Sequence, residues 1–402
     1  MKIFVVGAGM GGEPYLTLYA REIIKNADIV LSAKRLHGLI GGLNRNSVLL
    51  EMREFLPFIA GCESRGVKQL CVLVSGDVGF YSFARTLAEN VKSDIEFVSG
   101  INCMQYLAAK LGISYDDAVA VSVHGRDIDA VPYVCYNKKV FLLTGGDRTP
   151  RVVLRRLNDS GLGFVSAFIG ENLSEPGERV TSGTVERLCS ACADVEFSGN
   201  SAMFIVNDEY VNSYEAIPDG GFMRGGVPMT KQAVRALALA RLSAAPGDAV
   251  ADIGAGTGAM SVELARRARA GTVYAVESED MAAGLIRQNI KKHGAYNVEL
   301  IAGRAPGCFG LLPRIDKAFV GGSGGLLCDI IAGLLENNAG MRIAVTAVAL
   351  ETLAAATDAF RGFGLKFDVA CINAANAVPT GRYHLMKAEN PVYLIVGERR
   401  RP

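Results

Sequence analysis

The residues best placed to do chemistry lie at glycine loops. In the second half of the chain, Asp252-Ile-Gly-Ala-Gly-Thr-Gly258 follows an apolar run and precedes a helical pattern, and Glu277 stands at the end of the next apolar run. Glycines at such a corner let the backbone turn tightly and come close to a ligand. A carboxylate at the end of the next strand can accept hydrogen bonds from both ribose hydroxyls of a nucleoside. Three readings fit: a dinucleotide site with Ala259 in the third glycine's place, a structural turn, and an S-adenosylmethionine site. The last is favoured. Asp252 ahead of the glycines repels a pyrophosphate but accommodates a cationic sulfonium.

In the first half, Gly7-Ala-Gly-Met-Gly-Gly12 carries the GxGxxG spacing at Gly7, Gly9 and Gly12. Alone this spacing is a weak sign of NAD or FAD. The acidic residue expected after the second strand is missing, because Ile29-Val-Leu31 leads into Ser32-Ala-Lys-Arg35 and Asp28 precedes it. A further loop, Ser75-Gly-Asp-Val-Gly-Phe-Tyr81, also follows an apolar run. Two loops at two strand ends point to a small-molecule cleft rather than to a plain dinucleotide fold.

The elements that position these loops alternate between short β-rich runs and helical stretches, which is α/β patterning. In the first half the strands read as Lys2–Val6, Gln69–Val74, Ile95–Val98, Lys139–Leu143, Phe164–Ile169 and Ser201–Val206, with helices at Pro14–Asn26 and Cys103–Leu111 and a change of subdomain near residue 125. Asn207 to Gly226 is rich in Gly, Asp, Asn and Pro and reads as a linker. Thr230 is then placed to cap a helix over Lys231–Leu242. Beyond it, strands at Ala249–Ile253, Thr272–Val276, Val298–Ile301, Lys317–Val320, Arg342–Ala347, Phe367–Ala374 and Tyr393–Gly397 fit one doubly wound sheet. The organisation predicted is residues 1–206, a linker at 207–222, and a second domain at 223–402.

The chain has 402 residues, half of them apolar, and a formal net charge of +1. That length suits two or three domains. Near-neutrality gives no global attraction to nucleic acid or anionic membrane, and basic–aromatic stretches are lacking, which argues against an RNA substrate. No apolar run approaches the roughly 18 residues of a membrane span, and the N-terminus breaks into glycines too early for a signal peptide. A cytoplasmic protein is expected. Of the nine cysteines, Cys189 and Cys192 form a lone CxxC without a second pair, so free thiols are expected and no metal site.

Several segments, taken in order, carry a family resemblance. Gly7–Gly12 with Glu13-Pro-Tyr-Leu-Thr17, Ser75-Gly-Asp77, Ser99-Gly-Ile-Asn-Cys-Met-Gln105, Ser122-Val-His-Gly-Arg126 and Ile169-Gly-Glu-Asn-Leu173 resemble the tetrapyrrole (corrin/porphyrin) methylases. Gly226-Val-Pro-Met-Thr-Lys231, the Asp252–Gly258 loop and Gly321-Gly-Ser-Gly-Gly325 resemble the Rossmann-like, S-adenosylmethionine-dependent methyltransferases of cobalamin synthesis. There are two departures. Val78 stands where the first family has Pro, and Arg304 stands where the second has an acidic residue before Ala-Pro. The arginine removes a carboxylate contact to adenine and leaves the backbone of Gly303–Ala305.

The resemblance implies a two-subdomain tetrapyrrole methylase fold followed by a seven-stranded Rossmann-like fold. It implies one S-adenosyl-L-methionine per domain, held by Gly7, Gly9, Gly12, Gly76 and Asp77 in the first. In the second the holders are Thr230, Gly254, Ala255, Gly256, Thr257, Gly258, Glu277, Arg304 and Ala305. The implied substrate is a precorrin or cobalt-precorrin, methylated at carbon 5 by the first domain. The second methylates carbon 15 and removes carbon dioxide from the ring C acetate. The conjugated ring can accept the electron pair, so neither pyridoxal phosphate nor thiamine is called for. The substrate's carboxylates should meet cations at the cleft mouths: Arg126 with His124 beside it in the first domain, Lys231 and Arg224 in the second. His124, Arg126 and Lys231 are the catalytic candidates; each of these cations can equally be a solvated charge, and His124 is either a proton donor or a structural histidine. Gly321–Gly325 either makes room for the macrocycle or is a strand-to-helix turn. A homo-oligomer is implied. Rival readings are an RNA or protein methyltransferase, a nicotinamide oxidoreductase, and a chain in which one domain is a non-catalytic cofactor-binding scaffold.

Overall fold

The computed structural model describes residues 1–38, 42–193, 195–212 and 215–399. Positions 213–214 of the expected linker and the last three residues of the expected second domain lie outside the described residues. The chain divides into two compact units. One comprises Met1–Ile128, Lys139–Arg155 and Val165–Val206, the other Asp129–Lys138, Arg156–Phe164 and Asn207–Pro402.

The first unit holds two five-stranded sheets. In one, Ser47–Leu49, Ile29–Ser32, Gln69–Val74, Lys2–Gly7 and Asp94–Val98 lie side by side in that order, all parallel. Lys2–Gly7 is apolar almost throughout because both its faces are covered. Phe4 and Val6 pack with Ala20, Ile23 and Ile24, while Ile3 and Val5 pack with Phe55 and Ile59. The other sheet runs Ala118–Ser122, Lys139–Thr144, Ser201–Val206, Ser166–Glu171, Arg179–Thr184, with only the first pair parallel. The expected helix Pro14–Asn26 is two elements. A 3-10 turn spans Glu13–Tyr15, and an α-helix spans Leu18–Asn26 with Thr17 Oγ1 accepting from Ala20 N. Helix Cys103–Leu111 appears where expected. Asn102 and Gln105 form a reciprocal capping box at its start, and Gly112 closes its end at φ 67°.

The second unit is built on one seven-stranded sheet, in the order Val298–Ala302, Val273–Glu277, Val250–Ile253, Lys317–Val320, Arg342–Ala347, Val392–Glu398, Lys366–Ile372. The first five are parallel and Val392–Glu398 runs antiparallel to both neighbours. Helices Gln232–Leu242 and Ala259–Ala265 feed the core on one face, Leu327–Asn337 and Leu350–Gly362 the core on the other. The strand order reverses between Val250–Ile253 and Lys317–Val320. In open sheets of this kind the crevice at that reversal is where ligands bind.

Two expectations need correcting. Thr230 does not cap the helix. The helix starts at Gln232, Lys231 is its N-cap residue without a side-chain cap, and Asp219 Oδ1 accepts the Gln232 N–H at 2.9 Å. A hairpin between the last two strands, Ala375–Thr380 and Tyr383–Ala388, forms a two-stranded sheet that the apolar pattern did not reveal. The later part of the expected linker is fixed to the second unit. Phe222 is buried in its core, and Asn289 exchanges hydrogen bonds with the Met223 backbone at 2.8 and 2.7 Å.

Candidate active site

Each unit contains its own cavity at the carboxyl ends of parallel strands. In the first unit the loops after Lys2–Gly7, Gln69–Val74 and Asp94–Val98 meet. A Cβ on Gly7 would fall 2.6 Å from Gly76 O and 2.8 Å from Gly100 N, so only glycine lets these three strand ends approach. Gly9 and Gly76 pair through reciprocal backbone bonds of 3.1 and 2.9 Å. Asp77 locks the same corner, its Oδ1 accepting from Gly79 N at 2.8 Å and its Oδ2 from Gly100 N at 3.1 Å. No α-helix opens directly on the Gly7–Gly12 loop, because the first α-helix begins at Leu18. The phosphate cradle that GxGxxG marks elsewhere is therefore missing from this corner.

The cavity beside these loops measures about 160 Å³. Gly9 and Gly76 line it; Gly7, Gly12 and Asp77 are outside the lining, Gly7 and Asp77 holding the strand ends together. Residues from the second sheet, including Leu143, Gly170 and Ser201, close the far side, so the cleft lies between the two sheets of this unit. Neither His124 nor Arg126 is in its lining. Arg126 stacks on Tyr81, a lining residue, with 5.4 Å from guanidinium to ring centre. His124 is exposed and lies against Gly145. Cys103 also lines the cleft. Burial pushes its thiol up to about 11, so it stays protonated at neutral pH and forms wall rather than nucleophile. Sequence reasoning missed Arg35, which lines the cleft and donates to Glu175 Oε1 at 3.1 Å and to Ser75 Oγ. Its place just beyond a parallel strand's carboxyl end was the available signal.

The second unit's cavity measures about 1120 Å³. Gly254 sits at φ 69°, and a Cβ there would lie 2.5 Å from Gly322 O and 2.8 Å from Gly322 N. The two loops at the sheet's switch point thus touch backbone to backbone. Glu277 is buried to 9% exposure at the end of the neighbouring strand. Its Oε2 accepts from Gly256 N at 2.8 Å, and its Oε1 from Ser278 N at 2.7 Å and Glu279 N at 3.0 Å. The carboxylate binds the glycine loop to the next helix and still lines the cavity, with lone pairs left for ligand hydroxyls.

Of the other expected contacts, Thr230, Lys231, Gly254, Ala255 and Gly256 line this cavity, as do Gly321, Gly322 and Gly324. The last three also belong to the turn from strand Lys317–Val320 towards helix Leu327–Asn337, the strand-to-helix turn that was one of the two readings of this run. Thr257, Gly258, Arg304, Ala305 and Arg224 are outside the lining. Thr257 is 1% exposed, and Gly258 is the N-cap residue of helix Ala259–Ala265. Arg304 touches the rim by donating to Gly324 O at 3.4 Å. Asp252 does not face the cavity either. It is 1% exposed and accepts from Ser261 Oγ at 2.5 Å. Burial, with the nearby Glu277 charge, pushes its carboxyl up to about 7. Its expected role beside a sulfonium is replaced by a role in the core beneath the loop. The hairpin contributes Asn376, Val378 and Lys387 to the lining, none of them foreseen.

Comparison with known proteins agrees with both halves. Residues 2–189 match the tetrapyrrole (corrin/porphyrin) methylases, and residues 221–399 match the precorrin methyltransferase domain. A Pyrobaculum calidifontis protein named a probable cobalt-precorrin-6B C(15)-methyltransferase (decarboxylating) is 42% identical over 44% of this chain and 93% of its own length. A Sinorhizobium protein named precorrin-6Y C(5,15)-methyltransferase [decarboxylating] is 28% identical over 96% of this chain and 94% of its own. Among solved structures, a precorrin-6y C5,15-methyltransferase from Geobacter metallireducens aligns with 46% of this chain and 96% of its own, at 35% identity and a TM-score of 0.44. The chain belongs to the decarboxylating precorrin methyltransferases.

Proposed function

We propose that this chain methylates carbons 5 and 15 of a precorrin macrocycle and removes carbon dioxide from the ring C acetate, taking precorrin-6Y or its cobalt-containing equivalent to the precorrin-8 level. Residues 1–206 act at carbon 5, and residues 223–402 act at carbon 15 and at the acetate. The observation that carries this reading is the pair of separate cavities, each at parallel-strand ends and each built differently.

S-adenosylmethionine, when bound, supplies a methyl group already activated on a sulfonium. The residues present suit it. In the second unit the glycine loop leaves backbone exposed where a Cβ would intrude, and Glu277 offers carboxylate oxygens for ribose hydroxyls. At about 1120 Å³ the cavity exceeds the ~300–1,000 Å³ typical of a single small ligand, so cofactor and a second ligand fit together. The chain's work is to position and desolvate. Val227, Met229, Met281 and Val392 give the cavity apolar wall against which ligands can shed water, while Thr230 and Lys231 stand at the same cavity for polar ends of the ligands. In the first unit Arg35 is the charged group of the cleft lining, Asn102, Ser75, Asn200 and Ser201 are among its polar groups, and Arg126 braces its Tyr81 wall.

The first cavity, at about 160 Å³, is below that range. The narrowness favours a second reading in which the first unit is a cofactor-binding scaffold and only one methylation occurs. The primary reading requires this cleft to widen around its ligands. Mass spectrometry of the full-length chain's product decides between them: two added methyl groups and one lost carbon dioxide support the primary reading, one added methyl the second. Calorimetry should find two S-adenosylmethionine per chain, and light scattering tests the homo-oligomer expected from the family.

A further inference from the structure

The hairpin Ala375–Thr380 and Tyr383–Ala388 forms a sheet of its own, and every residue in both strands is exposed. Two strands alone are marginally stable in water. Cross-strand pairing sets Asn376 opposite Lys387, Val378 opposite Leu385, and Thr380 opposite Tyr383. Side chains alternate along a strand, so these six share one face. Asn376, Val378 and Lys387 line the second unit's cavity, whereas the opposite face contributes only Ala388, at the hairpin's base. The face is therefore a continuation of the cavity wall. It is polar at the base and apolar further out, where Leu385 is 58% and Tyr383 61% exposed.

The cavity's two lysines differ. Lys231 is 3.8 Å from Asp219. The Lys387 side chain has no ion-pair or hydrogen-bond partner among the described residues. Its neighbour Glu389 is engaged by Asn376, whose Nδ2 donates to Glu389 Oε1 at 3.1 Å. An unpaired ammonium beside an apolar, solvent-open face matches a ligand that is flat, apolar and edged with carboxylates.

Resting on the proposed function of this cavity, we propose that Lys387 is a specificity-determining residue that pairs with a carboxylate of the macrocycle retained through the reaction, while Val378, Leu385 and Tyr383 lie against the ring. The retained group is a consequence of the chemistry. In decarboxylation the bond from the acetate methylene to its carboxyl carbon breaks, the electron pair passes into the conjugated ring, and carbon dioxide leaves uncharged. An ammonium on the reacting carboxylate would stabilise the ground state more than the transition state and slow the step. Lys387 therefore serves binding, and the reacting acetate lies elsewhere.

The test uses the full-length chain with Lys387→Ala, Lys387→Arg and Lys387→Glu. Losing one charged contact should raise KM for the precorrin roughly tenfold in K387A, with kcat within about threefold of wild type. K387R should restore KM and K387E should raise it further. S-adenosylmethionine affinity and stoichiometry, read by calorimetry, should be unchanged in all three. An unaltered KM in K387A overturns the proposal, and so does faster carbon dioxide release, which would put the reacting acetate on this lysine. A changed oligomeric state with KM unmoved would also overturn it, making the face an interface between copies. If wild type itself does not convert the precorrin, the functional reading fails first, an outcome distinct from a variant matching an active wild type.

Discussion

Glu277→Gln is the most informative substitution because its cost can be worked from three hydrogen bonds. The carboxylate accepts from Gly256 N at 2.8 Å on one oxygen, and from Ser278 N at 2.7 Å and Glu279 N at 3.0 Å on the other. Glutamine has one oxygen. Turned towards Ser278 and Glu279, it points its NH2 at the Gly256 N–H; turned the other way, it strands two N–H groups. The better choice still leaves one donor facing another, at a cost of about 1–3 kcal/mol. For a unit of this size that is a fall in melting temperature of roughly 3–9 °C. Cofactor binding loses more. Hydrogen bonds from ribose to a charged acceptor contribute about 1.5–3 kcal/mol, so affinity at this site should fall about 10- to 100-fold. Calorimetric titration of the full chain should show one tight equivalent surviving and one weakened. An affinity unchanged within about threefold, with the melting temperature still lowered, would refute the nucleoside role and leave Glu277 as a loop brace. Weakening of both equivalents would refute independent sites.

Three further substitutions probe the rest. Gly254→Ala places a Cβ 2.5 Å from Gly322 O in a left-handed backbone; at about 1–3 kcal/mol for the clash plus ~1–2 for the backbone, binding at the second site should disappear while the first persists, as equilibrium dialysis would show. Gly7→Ala drives a Cβ to 2.6 Å from Gly76 O; the same assay should show the reverse pattern, and product mass should lose one methyl if the first unit is catalytic. Asp252→Asn tests the buried carboxyl, raised from 3.8 to about 7. Between about pH 4 and 7 the unfolded chain has released this proton and the folded chain keeps it, so wild-type stability falls as pH rises and levels off above 7. The shift of about 3 units at about 1.36 kcal/mol each sets an upper bound near 4 kcal/mol. Thermal melts should therefore find Asp252→Asn more stable than wild type at pH 8, the gain shrinking towards pH 4; a gain independent of pH would refute the assignment.

Local information made much of this molecule legible. A strand, a glycine corner and a carboxylate at the end of the next strand are all set by nearby sequence, which is why Gly254, Gly256 and Glu277 were found without a structure. Strands Gln69–Val74, Ser201–Val206, Lys317–Val320 and Arg342–Ala347 were bounded correctly because buried strands are apolar on both sides. The hairpin was missed because burial does not write its pattern; all of it is exposed, and only the two-residue Gly381-Arg382 turn, with Gly381 at φ 61°, announces it. Thr230 looked like a cap because caps are usually local, but the acceptor came from Asp219, 13 residues earlier.

The sequence by itself determined two α/β halves, two glycine-lined corners, and a carboxylate at the end of the strand that follows the second glycine loop. Those depend on periodicity and backbone permission, which neighbouring residues control. Only the tertiary structure decided which side of each loop faces the cavity. Gly9 and Gly76 line one cleft while Gly7 and Asp77, outside its lining, hold its strand ends together. Asp252, adjacent in sequence to the glycines, turns into the core, while Lys387, 131 positions past Gly256, reaches the same cavity. Successive side chains of a strand point to opposite faces, so which residue meets a ligand is settled by what packs on each face, and that is a property of the whole unit.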